Sequence, residues 1–330
     1  MSYRLIDTSD YQRVMETYNV SSLTAKMLMG METVRDDIAS FFLLPGDFQF
    51  DPALYQPIAD CLWQIKKQGR KVFVFGDYDC DGICATAIMV AVLEKMGIKA
   101  GYYIPSRINE GYGLSLDKLM LAADKGYDVL VTVDNGVAAQ EALKWAREHD
   151  ITTIVTDHHV ITQEVDCDYL LHPDLMGPGC ENLCGAAVAY MLARYLKLDD
   201  DRMKVLAMTA TIGDVMEIKG LNIRIINEGL ELLNTHRVPE VERLVDFNYP
   251  VDETQIGFQL VPMINSGGRM SEKPVSEANL AVRYFLTSDM AEKGAISALI
   301  RNFNQQRKRL SASEYELAKE IGRASCRERV

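Results

Sequence analysis

The pattern of hydrophobic and polar positions changes at about residue 70. Before that point, residues 1–50 show short helical stretches that end in a Gly- and Pro-containing turn at 43–47. Residues 51–67 have the apolar spacing of an amphipathic helix. From Lys71 onward, short continuous apolar runs alternate with helical stretches of about ten residues. Continuous runs are typical of parallel strands covered on both faces, so the pattern predicts βαβ units and a parallel sheet.

The predicted elements describe an α/β fold, in which a parallel β-sheet flanked by helices precedes a mainly helical subdomain. Strands are predicted at 72–75, 100–104, 129–133, 151–155 and 169–171, with helices between them at 84–96, 116–124 and 138–148. After about Gly185 the strand signals fade, and helices are predicted at 186–196, 202–211, 223–233, 276–285 and 291–319. The resulting units are an N-terminal helical segment packed on the core (1–50), an α/β catalytic subdomain (51–185), a mainly helical remainder (186–290) and a connector helix (291–320).

The last ten residues, IGRASCRERV, do not continue the charged helix before them. They are basic, contain a cysteine and lack apolar periodicity. The string resembles the translation of a common sequencing-adapter oligonucleotide. We therefore expect residues 321–330 to be a non-native tail, which is excluded from fold reasoning.

Composition limits the cellular context. The chain contains no run of 18 or more apolar residues and no apolar signal core at its N-terminus, so we expect a cytoplasmic protein with no membrane partner. Seven scattered cysteines favour buried thiols in a reducing compartment over disulfides. The net charge of −12 disfavours a nucleic-acid partner unless the acids are concentrated at a metal site.

Four polar clusters stand out, and three of them follow a predicted strand directly. They are Asp77, Asp79 and Asp81 in D-Y-D-C-D-G, Asp134 in D-N-G, the run Asp157-His158-His159, and Asp214, which follows a predicted helix. Ligands of open α/β sheets bind in the crevice beyond the carboxyl ends of the strands. The three strands should therefore bring five acids and two histidines to one crevice.

So many carboxylates cannot share a crevice without compensation. Two carboxylates about 5 Å apart repel by about 3 kcal/mol at an effective dielectric near 20. Either some of them are protonated or cations neutralise them, and cations are the better explanation for several pairs. Carboxylates with imidazole suit Mn²⁺ or Mg²⁺, whereas the absence of clustered thiolates argues against structural zinc.

Each cluster alone has a simpler explanation. D-x-D-x-D-G also fits a calcium loop, but its twelfth position is Ile88 rather than glutamate. Asp134-Asn135-Gly136 alone would be an ordinary turn, and a lone histidine pair would be structural. Their combination at successive strand ends is what indicates a metal site.

The motifs D-Y-D-C-D-G-I-C-A-T-A, V-D-N-G and T-D-H-H resemble motifs one to three of the DHH phosphoesterase superfamily. Further segments are similar to its RecJ branch: I-P-S-R and E-G-Y-G-L-S within 104–115, T-I-G-D-V at 211–215 with N-I-R at 222–224, and N-S-G-G-R-M at 265–270. The resemblance covers residues from about 20 to 315. Cys80 departs from the alanine usual in RecJ proteins, and 265–270 varies a segment that we predict to be a loop needing small residues.

The resemblance implies a centre of two divalent ions, Mn²⁺ or Mg²⁺, and assigns a role to each site residue. The implied ligands are Asp79, Asp81, Asp134, His158 and Asp214, with Asp134 bridging the ions and Asp77 as a further or supporting ligand. His159 would contact the scissile phosphate, and Asp157 would support the histidines. Arg107 and Arg269 would hold substrate phosphates, unless they form ordinary surface ion pairs.

Such a centre would activate a water molecule and stabilise the leaving oxygen of a phosphodiester. The family implies 5′ to 3′ degradation of single-stranded DNA to mononucleotides in DNA repair and recombination, with repair or replication proteins as partners. In the RecJ branch a second domain that helps to hold DNA follows the connector helix. Because that helix runs into the suspected tail, we expect this domain to be missing here.

Two other interpretations remain open. Other DHH relatives act on short oligonucleotides, cyclic dinucleotides or pyrophosphate, and some have lost metal ligands and serve as binding modules. The complete set of presumed ligands favours an enzyme. The segment containing Arg107 and E-G-Y-G-L-S favours the RecJ branch.

Overall fold

A computed structural model describes residues 10–31, 38, 48–107, 110–111, 113–236, 238–270 and 277–327, excluding the side chains of 269–270, 317 and 320–327. Its first helices are α1 (Tyr11–Tyr18) and α2 (Ser22–Gly30), which pack together through Val14, Ala25 and Leu28. Helix α3 (Pro52–Gln68) confirms the predicted amphipathic helix, and the Asp51 side chain caps it by accepting from the N–H of Ala53. The predicted turn at 43–47 lies outside the described residues.

All five predicted strands are confirmed to within one residue. They are β1 (Lys71–Phe75), β2 (Lys99–Tyr103), β3 (Val129–Val133), β4 (Thr152–Thr156) and β5 (Tyr169–Leu171). They form one parallel sheet in the order β2-β1-β3-β4-β5. Strand β2 lies on one side of β1, and the later strands β3, β4 and β5 lie on its other side. The strand order therefore reverses between β1 and β3, which opens a crevice at the carboxyl ends of these two strands.

Helices cover both faces of the sheet, because successive strand residues point to opposite faces. Helices α4 (Cys80–Met96), α5 (Leu116–Asp124) and α6 (Gln140–Glu148) connect the first four strands. Val72 and Val74 face the cluster that contains α4, while Phe73 and Phe75 face α5 and α6. Helix α4 is apolar and buried almost all round, as expected for a helix in the centre of a domain.

Helix α4 begins at Cys80, four residues before its predicted start. The expectation of 84 was wrong because Asp79 caps the helix and the first turn already contains Asp81 and Gly82. Because this turn contains polar residues and a glycine, it lacks the apolar periodicity from which the helix was predicted.

The remainder of the chain is helical, as predicted. A 3-10 turn (Pro173–Leu175) leads to α7 (Gly185–Tyr195), α8 (Asp201–Gly213), α9 (Leu221–Thr235), α10 (Pro239–Glu242), α11 (Glu253–Gln255), a π-helical turn (Ile256–Leu260), α12 (Val261–Met270), α13 (Ala278–Leu286) and α14 (Met290–Arg327). Helix α14 passes the predicted end at 319, so that end was wrong. The non-native origin of 321–330 stays a prediction.

The segment N-S-G-G-R-M is not the predicted loop, since residues 265–270 form the second half of α12. Small residues are needed there for another reason. A Cβ atom at Gly268 would lie 2.2 Å from the carbonyl oxygen of Tyr78, so α12 packs directly on the backbone of motif one.

The cysteine prediction is largely confirmed. Cys61, Cys80, Cys84, Cys180 and Cys184 are buried free thiols, and Cys167 is only partly buried. Within the described ranges, none of the helices combines the length and the apolar character that crossing a membrane requires.

Candidate metal centre

Motif one supplies three carboxylates because the chain passes directly from β1 into α4. Oδ1 of Asp79 accepts hydrogen bonds from the N–H groups of Asp81 at 3.0 Å and Gly82 at 3.2 Å. Residue 82 has no room for a side chain, since a Cβ atom there would lie 2.3 Å from the carbonyl oxygen of Asp77. These contacts fix Asp77, Asp79 and Asp81 relative to one another.

Asp81 joins motif one to the helical half of the molecule. Its Oδ2 and Oδ1 accept 2.7 Å hydrogen bonds from the N–H groups of Gly185 and Ala186, the first residues of α7. The unpaired N–H groups and the dipole of a helix N-terminus favour a negative charge. Because the Asp81 side chain is only 1% exposed, this helix end stabilises it in place of water.

Asp134 follows β3 in a left-handed backbone conformation (φ 58°), which aspartate tolerates better than most residues. Its N–H donates to the carbonyl oxygen of Thr156 at 3.0 Å. Gly185 leaves the space that the Asp134 side chain occupies: a Cβ atom at 185 would lie 2.5 Å from Cβ and 2.8 Å from Oδ1 of Asp134. Gly185 thus serves both Asp81 and Asp134.

Asn135 holds the ends of two central strands together. Its Nδ2 donates to the carbonyl oxygens of Phe75 at 3.1 Å and Val133 at 2.8 Å. The segments that follow β1 and β3 are therefore fixed side by side, which brings Asp77 and Asp134 to the same crevice.

The side chain of Asp157 forms hydrogen bonds with the loop that follows β4. Its Oδ1 accepts from the N–H groups of His158 at 2.7 Å and His159 at 3.1 Å, and Oδ2 accepts from Val137 N–H at 3.0 Å. Oδ1 also lies 2.8 Å from Nδ1 of His159. This buried carboxylate orients the loop and the His159 ring, while the His158 ring points towards Asp134.

The fourth cluster comes from a helix end. Asp214 is the C-cap of α8, and the next residue, Val215, has a left-handed backbone (φ 56°). The Asp214 side chain is 30% exposed, so it forms part of the rim of the crevice.

The clusters converge around the His158 ring. Its Nε2 lies 3.1 Å from Oδ1 of Asp134, 3.6 Å from Oδ2 of Asp81 and 3.7 Å from Oδ2 of Asp214. Ligand atoms fall into overlapping groups within 4.8 Å: Asp77, Asp79 and Asp134; Asp81, His158 and Asp214; and Asp134, His158 and His159. Asp134 takes part in two of these groups and adjoins the remaining one through His158.

Electrostatics at the centre disfavours the charged carboxylates. Burial and then Asp81 hold the pKa of Asp134 well above its ordinary range. Burial raises the pKa of Asp77 to about 7 with help from Asp79, and raises the pKa of Asp214 to about 7 with help from Asp81. Burial also lowers the pKa of His158. The lowered pKa favours the neutral imidazole, which is the form that binds a metal ion.

His159 differs from His158. Its hydrogen bond with Asp157 raises the pKa of His159 to about 9, and the ring is 57% exposed. Although burial opposes ionisation of Asp157, the bonds from His159 and Val137 leave the pKa of Asp157 below its ordinary value. The pair therefore presents a protonated imidazolium to the crevice near neutral pH.

The donor set suits small divalent cations. Oδ1 of Asp77 and Oδ1 of Asp134 are buried and accept no hydrogen bond within the described residues. Leaving a buried acceptor unpaired costs about 1–3 kcal/mol, so an oxygen in this position is expected to have a partner. Hard oxygen donors with one imidazole match Mn²⁺ or Mg²⁺, and the donor groups found in the described part of the chain contain no cysteine.

The centre opens into a cavity of about 590 Å³. Its walls include Asp77, Asp134, His159, Leu114 and the loop 135–139. Arg107 is exposed, and its guanidinium lies 5.0 Å from the ring centre of Tyr78 in motif one. Arg107 therefore lies beside motif one, whereas the side chain of Arg269 lies outside the described residues.

Two residues of the site were not predicted. Gly185 was taken only as a boundary and Asn135 only as part of a turn, yet one admits Asp134 and the other joins β1 to β3. The G-A-A that opens α7 could have indicated a helix end against buried groups. The calcium-loop alternative is excluded, because motif one joins a strand to a helix.

Residues 71–216 match the DHH family, N-terminal domain. The single-stranded-DNA-specific exonuclease RecJ of Bacillus subtilis is 30% identical over 321 residues, which is 92% of this chain and 40% of that protein. The corresponding protein of Thermus thermophilus is 30% identical over 76% of this chain and 38% of its own length. This chain thus spans about 40% of the length of these curated relatives.

Two solved structures of RecJ proteins are similar to this chain. The crystal structure of RecJ in complex with Mn²⁺ from Thermus thermophilus is similar with a TM-score of 0.76 and 25% identity, over 94% of this chain and 46% of that chain. A crystal structure of exonuclease RecJ bound to manganese gives a TM-score of 0.68 and 27% identity, over 81% of this chain and 69% of that one.

Proposed function

From the premise that this chain is a RecJ-like member of the DHH superfamily, we propose that it is a metal-dependent phosphodiesterase that degrades single-stranded DNA. The reaction releases mononucleotides, in the 5′ to 3′ direction. The observation that carries the proposal is the convergence of Asp77, Asp79, Asp81, Asp134, His158 and Asp214 into overlapping ligand groups.

Two divalent cations, Mn²⁺ or Mg²⁺, would be held by the overlapping groups. Asp77, Asp79 and Asp134 would hold one cation and Asp81, His158 and Asp214 would hold the other, and Asp134, which lies close to His158, would be shared between them. Bound cations supply an activated water molecule and neutralise charge on the phosphate during an in-line displacement. The α7 N-terminus orients Asp81, and Gly185 leaves room for Asp134.

His159 acts on the substrate. Because Nδ1 faces Asp157, the Nε2–H group is free to donate to a non-bridging oxygen of the scissile phosphate. In the metal-free protein the pKa of about 9 favours the protonated ring at neutral pH, and a protonated ring would also offset negative charge on that phosphate.

Arg107 and Arg269 hold phosphates of the DNA strand next to the scissile bond. A guanidinium binds phosphate in a bidentate manner, and the contact with Tyr78 keeps Arg107 beside motif one. The cavity of about 590 Å³ accommodates the terminal nucleotide. The net charge of −12 is compatible with DNA binding because it describes the whole surface, and cations held at the centre would offset the charge of its carboxylates.

A turnover panel tests the proposal. Purified chain with Mn²⁺ is given a 5′-labelled single-stranded oligonucleotide, the corresponding duplex, a dinucleotide, a cyclic dinucleotide and pyrophosphate. We expect mononucleotides from the single strand and little product from the duplex. Preference for pyrophosphate or cyclic dinucleotides would contradict the proposed substrate and indicate a different DHH activity. Strand binding without hydrolysis of any substrate would favour a binding module.

A further inference from the structure

The fifth strand delivers a buried histidine for which the proposed reaction has no role. Strand β5 lies beside β4, with Leu171 paired to Thr156, and His172 follows β5 directly. The side chain of His172 is 2% exposed. It is therefore held inside the protein behind the loop that carries Asp157, His158 and His159.

Both ring nitrogens of His172 have a backbone partner. Nδ1 accepts a hydrogen bond from the N–H of Asp174 at 3.2 Å, within the 3-10 turn after β5. Nε2 lies 2.9 Å from the carbonyl oxygen of His159. A neutral imidazole has one donor and one acceptor nitrogen. Nδ1 lies nearer to the N–H of Asp174, at 3.2 Å, than to its carboxylate, at 3.5 Å, so we assign Nδ1 as the acceptor and place the proton on Nε2, which donates to the His159 carbonyl.

His159 is thus fixed at two points. Asp157 contacts its ring at Nδ1, and His172 contacts its backbone carbonyl. The residue after this carbonyl, Val160, is 81% exposed, so its side chain adds little packing that could hold the backbone directly beyond the contact. Without the bond from His172, the backbone of His159 would be anchored only through Asp157.

We propose that His172 is a positioning residue: through its neutral Nε2–H tautomer, set by the Asp174 N–H, it holds the His159 backbone so that the His159 ring faces the substrate phosphate. The proposal rests on the proposed function, in which His159 contacts that phosphate. A misplacement of about 1 Å at a reacting group can cost about 100-fold in rate, so one backbone hydrogen bond is sufficient to matter.

Two variants of the full chain separate positioning from packing. His172→Phe keeps a planar ring and removes both nitrogens, whereas His172→Gln retains an amide donor at a similar reach. We expect His172→Phe to lower kcat on single-stranded DNA by about 10- to 100-fold, and His172→Gln to recover most of it. KM and the Mn²⁺ dissociation constant should stay near wild type, and the Tm should fall by only a few degrees in His172→Phe. His149→Phe, at the exposed C-cap of α6, is the matched control.

A second readout does not depend on catalysis. Histidine-selective ¹⁵N NMR of the metal-free chain reports the tautomer of each of the five histidines. The signal lost in His172→Phe identifies His172, and we expect its neutral Nε2–H form. If the wild-type chain fails to hydrolyse DNA, the proposed function fails, whereas the NMR result still tests the hydrogen-bond arrangement.

Three results would overturn the proposal. The first is an Nδ1–H tautomer or an imidazolium at His172. The second is an unchanged kcat in His172→Phe. The third is an equal loss of Mn²⁺ affinity and Tm in both variants, which would assign His172 to general packing.

Discussion

The two halves of the molecule supply carboxylates to the centre in opposite electrostatic settings. Asp81, from the α/β half, has both oxygens bonded to N–H groups at the N-terminus of α7. Asp214, from the helical half, caps the C-terminus of α8, where the helix dipole disfavours an anion. Burial and the nearby Asp81 raise the pKa of Asp214 to about 7. The fold therefore provides hydrogen-bond donors for the carboxylate of Asp81, whereas the carboxylate of Asp214 requires a proton or a cation to neutralise its charge.

Replacing Asp134, which lies next to ligands from both halves of the molecule, should have the largest effect on activity. Asp134→Ala removes the carboxylate that adjoins every ligand group, so we expect Mn²⁺-dependent cleavage of single-stranded DNA to fall by about 1,000-fold or more, since metal stabilisation is worth several kcal/mol. The fold should persist by circular dichroism. Asp128→Asn, at the other end of β3, is the control and should retain activity. Unchanged turnover in Asp134→Ala would exclude the shared role.

The next effect concerns the contact between the halves. Gly185→Ala introduces a Cβ atom where only 2.5 Å separates it from Cβ of Asp134, so Asp134 must move. We expect Mn²⁺ affinity, measured by calorimetry, to fall by about 10- to 100-fold, as for other changes that displace ligands. Gly294→Ala in α14 meets no atom within 4 Å and should bind Mn²⁺ normally. Equal affinities in the two variants would contradict this packing.

The comparison of Asp81 with Asp214 can be tested directly in metal-free protein. Asp81→Asn places an amide donor against the N–H groups of α7, so we expect the free energy of unfolding in urea to fall by about 1–3 kcal/mol. Asp214→Asn removes a disfavoured charge and should leave the free energy of unfolding unchanged or raise it. Similar losses in both variants would show that the two settings are not different.

A smaller effect is expected from pH. The folded pKa values of Asp77 and Asp214, about 7, lie above the ordinary 3.8, so their contribution to stability is complete below about pH 4 and is lost as pH rises through 7. Mn²⁺ should therefore raise Tm by several degrees more at about pH 8 than at about pH 5.5. Asp77→Asn combined with Asp214→Asn should reduce that difference. An equal gain at both pH values would contradict the shifts.

The sheet was predictable because each strand is a short apolar run followed by a polar cluster, as in Val129–Val133 before Asp134. The convergence of three strand ends followed from the parallel topology alone. Periodicity failed where function required small or polar residues within helices. It missed the first turn of α4 and treated 265–270 as a loop, although Gly268 is needed for the contact of α12 with Tyr78.

Other features of the site depend on contacts between residues far apart in sequence. Asp81 lies about a hundred positions from Gly185, and no local pattern indicates that the N-terminus of α7 binds its carboxylate. His172 likewise reaches His159 only because β5 pairs with β4. The candidate ligands could be named from sequence, whereas the groups that orient them required the fold.

The central claim is that these carboxylates converge closely enough to require a pair of cations. Titration of the metal-free chain with Mn²⁺, followed by electron paramagnetic resonance, tests it most directly. We expect two equivalents to bind and to give the spectrum of a magnetically coupled pair. Binding of one equivalent or none, or two equivalents with the six-line spectrum of isolated ions, would contradict the account.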